Sequence, residues 1–248
     1  KQSISPTIQE AVELALSTIA DEIIRVYCAG RTDTGVHAIQ QVIHFDTSSK
    51  RELHSWILGA NSKLPKDISV IWALNVDDSF HARFTAENRT YQYLILNRSS
   101  KPAIFNGLVK WEYQELDFKR MVDSSKYLIG EHDFTSFRAV SCQSDSPIRK
   151  IYELEIGKLD DLFVITIRAN GFLHHMVRNI AGVLIAVGSG KEKIEWVADV
   201  LEARDRTVAG VTAEPDGLYL VNVEYPERYL IPKPKKLIDN FKFSYLEN

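Results

Sequence analysis

The hydrophobic pattern alternates between helical and extended periods along the whole chain. Ile8, Val12, Leu16 and Ile19 recur at helical spacing behind Ser5-Pro6, which predicts a capped amphipathic helix with Pro6 at its first position. Two strand-like runs follow, Ile23 to Cys28 and Gln41 to Phe45, separated by a polar stretch. Arg51 to Asn61 predicts a short helix, and Ile68 to Val76 predicts a buried strand. Asn88 to Leu96 alternates cleanly, with Tyr91, Tyr93 and Ile95 on one face. Arg98 to Gly107 is rich in turn-forming residues and marks a connection. The order then repeats: a helix over Asp117 to Leu128, paired strands Ile151 to Ile156 and Leu162 to Ile167 around the turn Lys158-Leu159-Asp160-Asp161, a helix entered near Gly171, and a helix over Glu192 to Ala203. Helix, strand and strand recurring on both sides of the connection predict two α+β halves, 1–97 and 98–248, without a residue-level repeat.

Composition narrows the class. The chain has 248 residues and is 45% hydrophobic, enough for a large core. It contains no apolar run that could cross a bilayer and no signal-peptide pattern. Its two cysteines, Cys28 and Cys142, are far apart, which fits a reducing cytoplasm and argues against a thiolate metal site. The formal net charge of -3 weighs mildly against a nucleic-acid partner, although phosphate binding depends on local clusters more than on the sum.

Candidate chemistry concentrates in Ala29-Gly30-Arg31-Thr32-Asp33-Thr34-Gly35-Val36-His37-Ala38, the polar stretch between the first two strand-like runs. Asp and Thr side chains beside glycine make good turn chemistry, so a structural turn is one reading of this string. A site on a loop held by strands is the other. Tyr91 reads as core by its alternation, yet Arg83 and Arg89 stand nearby, a basic and aromatic mixture suited to stacking on nucleotides. In Gly171-Phe172-Leu173-His174-His175-Met176-Val177-Arg178-Asn179, helical spacing sets His174 and Arg178 on one side and His175 and Asn179 on another. Adjacent helical histidines point apart and no His-Glu-x-x-His is present, so no metal site is expected there. Arg178 alone reads as a surface arginine, and Leu218 as a core strand residue.

Taken together these motifs resemble the TruA family of tRNA pseudouridine synthases. The first string is similar to its Gly-Arg-Thr-Asp-Ala-Gly-Val-His-Ala signature, with Thr34 in place of Ala. His81-Ala82-Arg83-Phe84 with Tyr91-Gln92-Tyr93 resembles a second motif, and the His174-His175 segment a third. The resemblance spans nearly the whole chain, to about Tyr229. It implies two ferredoxin-like halves whose sheets join into a mainly antiparallel sheet, with helices on one face and an active cleft between the halves. It implies a strand ahead of the first helix, whereas this chain begins almost directly at that helix, so one sheet edge is expected to be unpaired or supplied otherwise. It implies a homodimer acting on the anticodon stem-loop of tRNA, at positions 38, 39 or 40. It also implies the site: Asp33 as catalytic carboxylate, Arg178 as its partner, Tyr91 against the target base and Leu218 as an apolar wall to the uracil.

The chemistry can then be argued from the residues. Pseudouridine formation moves the ribose C1′ bond from uracil N1 to uracil C5, with nothing oxidised and no group imported, so no cofactor is expected. The base must be flipped out, held while it rotates, and met by an anionic group at the sugar. Asp33 is the candidate, either attacking C1′ or acting as a base on the ribose. Either route needs an ionised carboxylate, which a neighbouring guanidinium favours. Arg31 is expected to hold the flipped nucleotide through phosphate, and His37 to brace the loop. Lys233, Lys235 and Lys236 are expected either to add weak phosphate contacts or to keep the tail solvated. Two other readings compete: a non-catalytic RNA-binding module, and a dimeric aspartic protease using Asp33-Thr34-Gly35.

Overall fold

The computed structural model describes residues 7–233, so Ser5, Pro6, Lys235 and Lys236 lie outside the described residues. In chain order the elements are α1 (Ile8–Ala20), β1 (Tyr27–Cys28), β2 (His37–Ala38), β3 (Ile43–His44), α2 (Leu53–Lys63), β4 (Asn88–Asn97), β5 (Lys110–Glu112), α3 (Phe118–Ser125), β6 (Gly130–Asp133), β7 (Ile148–Leu159), β8 (Leu162–Ala169), α4 (Met176–Gly188), α5 (Trp196–Ala203) and β9 (Leu218–Glu224). The described residues divide into two compact units, one of 7–31, 41–86 and 225–233, the other of 32–40 and 87–224. Among the described residues no helix is long and apolar enough to cross a membrane.

In the first unit α1 packs on α2 over a core of Val12, Leu16, Ala20, Ile24, Val26, Trp56 and Ala60. The cap of α1 differs from expectation. Thr7 is the N-cap, its hydroxyl accepting from Glu10 N–H at 3.1 Å while the Glu10 carboxylate accepts from Thr7 N–H at 3.2 Å. Among the described residues the helix therefore starts at Ile8. The first two strand-like runs pair antiparallel over two residues each, Tyr27 with His44 and Cys28 with Ile43. Ile68 to Val76 is not a strand, contrary to its pattern. Ile68, Val70 and Ala73 pack against the core while Ile71 is exposed. The reason is local: the Asn61 side chain accepts from Val70 N–H at 2.7 Å and donates to Val70 C=O at 2.8 Å, taking the backbone groups that a neighbouring strand would use.

His44 stacks on Tyr27 with ring centroids 5.1 Å apart, and its Nδ1 accepts from Ala82 N–H at 3.1 Å. Burial, reinforced by the neighbouring His81, lowers its pKa from the ordinary 6.5, against the opposing pull of Asp46 and a Tyr27 backbone hydrogen bond. The folded chain thus favours neutral His44. Between the unfolded value and the lowered folded one, the unfolded chain binds more protons, so stability is full above pH ~6.5 and declines as pH falls below it. The Tm of His44→Gln is expected to decline less than that of the parent over this window, and equal slopes in thermal melts would remove His44 as a source.

The second unit is built on a seven-stranded sheet in the order β2-β9-β4-β8-β7-β6, with β5 pairing β4. The long pairs β4·β8, β4·β9, β7·β8 and β6·β7 are antiparallel, whereas β2·β9 and β4·β5 are parallel. The expected Tyr91, Tyr93 and Ile95 stripe on β4 faces the core, with Tyr93 and Ile95 fully buried. β7 and β8 form the expected hairpin, turning at Asp160, which adopts a left-handed backbone at φ 50°. The helix expected over Asp117 to Leu128 begins as α3, with the Asp117 carboxylate capping Arg120 N–H at 3.0 Å, and ends as a 3-10 turn. α3 and α4 pack on each other and on strands of the sheet, burying Met121, Ile180, Val183, Leu184 and Val187.

Candidate active site

Thr32 to Gln40 enters the second unit as a turn followed by β2. Val36 N–H donates to Asp33 C=O at 3.1 Å, closing a turn over Thr34 and Gly35. Gly35 sits at φ 83°, where L side chains are strained, and a Cβ there would approach Pro215 Cγ to 2.9 Å. β2 then lies parallel to β9, His37 beside Tyr219 and Ala38 beside Leu220. His37 stacks on Tyr219 at 4.6 Å and bonds Gly107 C=O at 3.0 Å, bracing the loop. The Asp33 carboxylate is thereby left at the end of a strand of the sheet, about a quarter exposed (26%).

α4 and the residues before it supply the partners. Arg178 lies two residues inside α4, 14% exposed, and donates from Nη1 to Asp33 Oδ2 at 2.9 Å. Its Nε donates to Ala213 C=O at 2.8 Å, which aims the guanidinium from behind. A planar fork that serves a carbonyl and a carboxylate at once is a task for Arg that Lys cannot copy. Next to it Asn179 is fully buried and satisfied: its amide donates to Phe137 C=O at 2.7 Å, and its oxygen accepts from Thr212 Oγ1 at 2.6 Å and Arg206 Nη2 at 3.1 Å. Arg178 and Asn179 together dock the 206–213 segment along α4.

The two histidines depart from expectation. Helical spacing predicts that they point apart, but α4 begins at Met176 and both histidines precede it. His175 takes a left-handed backbone at φ 63°. That break in register brings both rings to the same carboxylate. His174 Nε2 donates to Asp33 Oδ1 at 3.1 Å, and His175 Nε2 lies 3.2 Å from Oδ2. Their ring centroids are 4.0 Å apart. Burial lowers the pKa of His175, with the Asp33 charge opposing and His174, Arg178 and Arg206 adding to the lowering. Asp33, His174 and His175 place three ligand atoms within 4.8 Å of one another, a donor set of the kind that takes a transition metal. The guanidinium on Oδ2 already supplies positive charge there, and a cation would have to share that oxygen with it.

Tyr91 and Leu218 both lie in the sheet near this loop. Across β2, β9 and β4 the register runs Ala38, Leu220, Tyr91, so two strand spacings of about 5 Å separate Tyr91 from the strand that carries the Asp33 turn. Tyr91 is 8% exposed and packs edge-on against Phe172 at 5.0 Å. Leu218 pairs with Tyr93 and is 6% exposed. Arg31 is exposed, and the Asp33 carboxylate meets His174, His175 and Arg178. The contacts of His174 and His175 with the Asp33 carboxylate are what spacing alone missed.

A family model described as tRNA pseudouridine synthase matches residues 1–85 and 125–226. The chain belongs to the tRNA pseudouridine synthase family. The synthase is 55% identical over 223 residues to tRNA pseudouridine synthase A of Legionella pneumophila (strain Lens), covering 90% of this chain and 85% of that protein. It is 51% identical over 232 residues to tRNA pseudouridine synthase A of Coxiella burnetii (strain Dugway 5J108-111), covering 94% of this chain and 89% of that one. The expected family is therefore correct. The aspartic-protease reading of Asp33-Thr34-Gly35 falls with it: in the synthase Asp33 faces two imidazoles and a guanidinium, not a second carboxylate.

Proposed function

We propose that this chain isomerises uridine to pseudouridine in tRNA with Asp33 as the reacting carboxylate. The observation that carries the reading is the Asp33 side chain itself, presented on a glycine turn and held by Arg178 at 2.9 Å. A carboxylate oriented in this way can attack ribose C1′ or take a proton from the ribose, and both routes break the C1′–N1 bond and detach uracil. The detached uracil then turns, C5 bonds to C1′ as the Asp33–C1′ bond breaks or as the ribose regains its proton, the C5 proton leaves, and N1 ends protonated. Reactant and product have the same atoms, and nothing is oxidised. Tyr91 offers the face and phenol of a ring to the uracil, Leu218 an apolar wall, and Arg31 a phosphate contact. The finer architecture belongs to the same proposal: two ferredoxin-like halves, 1–97 and 98–248, a homodimer, and a cytoplasmic enzyme that modifies positions 38 to 40 of the anticodon stem-loop.

The direct test is tritium release from tRNA labelled at uracil C5, with no metal or cofactor added. The expected result is release matching pseudouridine formed, mole for mole. A folded protein that binds the labelled tRNA and releases no tritium would instead be an RNA-binding module, and the reading would be overturned.

A further inference from the structure

Arg178 fixes only one oxygen of Asp33. The other, Oδ1, is met by His174 Nε2 at 3.1 Å. A carboxylate oxygen accepts, so this contact requires a proton on Nε2. The opposite ring nitrogen, Nδ1, lies 3.1 Å from Ser141 Oγ. A hydroxyl can donate to an unprotonated Nδ1, and that bond selects the tautomer with its proton on Nε2. The Ser141 loop is itself tied to this histidine, because Ala139 N–H donates to His174 C=O at 2.9 Å. Ser141, His174 and Asp33 thus form a continuous chain of side-chain hydrogen bonds that runs from an exposed loop to the carboxylate.

We propose that Ser141 and His174 are positioning residues for this reaction. Ser141 sets the His174 tautomer, and the Nε2–H of His174 pins Oδ1 while Arg178 pins Oδ2. Held at one oxygen, a carboxylate can pivot about its Cβ–Cγ bond. Held at both, it keeps one plane relative to the ribose. That matters because a displacement of about 1 Å in a reacting group can cost on the order of 100-fold in rate. The inference rests on Asp33 being the reacting carboxylate.

The experiment is steady-state tritium release from C5-labelled tRNA by four variants of the full chain: His174→Asn, His174→Gln, Ser141→Ala, and His174→Asn combined with Ser141→Ala. The amide nitrogen of Gln reaches the Nε2 position, whereas that of Asn reaches only Nδ1. His174→Asn is expected to lower kcat by about 10- to 100-fold, with KM within about twofold of the parent. His174→Gln is expected to recover about tenfold over Asn, because its amide restores the donor to Oδ1. Ser141→Ala should lower kcat by roughly threefold to tenfold alone, and by nothing further on the His174→Asn background, as coupled residues behave. The proposal is overturned by a parental kcat in His174→Asn, by equal losses in Asn and Gln, or by the same Ser141→Ala loss on both backgrounds. Asp33→Asn run in parallel separates the two levels: undiminished turnover in that variant would sink the reading of Asp33 itself.

Discussion

Asp33→Asn is expected to cut pseudouridine formation at least about 1,000-fold while leaving the fold and tRNA binding in place. The amide is isosteric with the carboxylate and keeps an oxygen that can accept from Arg178 or His174, so the constellation within 3.2 Å is disturbed little. What the amide lacks is the charge and basicity required at C1′ or on the ribose. The site is partly open to solvent, with Asp33 26% exposed, so the stability cost should stay near 1 kcal/mol. The sign for binding also follows. Removing a negative charge from a surface that meets phosphate should leave the tRNA Kd unchanged or slightly lower. The paired measurement is C5 tritium release against tRNA binding at fixed salt. Turnover within tenfold of the parent would mean that the carboxylate is architecture.

Gly182→Ala is expected to destabilise the protein by about 3 kcal/mol or more and to lower activity as well. Helix propensity points the other way, since Ala is favoured over Gly by about 1 kcal/mol within a helix. Packing decides. A Cβ at Gly182 would stand 2.0 Å from the Val211 carbonyl oxygen and 3.4 Å from Ala213 N. Both are backbone atoms, with no rotamer to give way, so the 211–213 segment must move off α4. That segment is tied to the site. Ala213 N–H donates to Arg178 C=O at 3.1 Å, and Ala213 C=O accepts from Arg178 Nε at 2.8 Å. Displacing it removes the support that aims Arg178 at Asp33. For a chain of this size the expected fall in Tm is roughly 6–12 °C, read by thermal melting. A stabilised variant would show that the helix and the segment separate freely.

Much of the local structure was legible in short windows of sequence. The four-residue spacing of Ile8, Val12 and Leu16 marks α1, and the alternation through Tyr91, Tyr93 and Ile95 marks β4 with its buried face. Lys158 to Asp161 marks the β7–β8 turn. Such features depend on side-chain periods and turn chemistry within about ten residues, where local preference and final structure agree. The motif strings also carry the resemblance to the family, independently of any tertiary contact.

Other features were set by contacts and backbone turns that side-chain periodicity does not carry. The periodicity of Ile68 to Val76 signals a strand, but a strand exists only with a partner, and the Asn61 amide took the backbone groups of Val70 instead. The left-handed turn at His175 has no signature in its neighbours, and it alone reverses the conclusion that the two rings diverge. Asp33 stands 141 residues from His174 and 145 from Arg178, so which rings and which guanidinium meet it was settled by how β2, β9 and α4 pack. The sequence by itself determined most of the elements, the polar loop that carries Asp33 and, through its motifs, the family. The tertiary structure decided how both carboxylate oxygens are held, because orientation at a site is set by contacts that no local window contains.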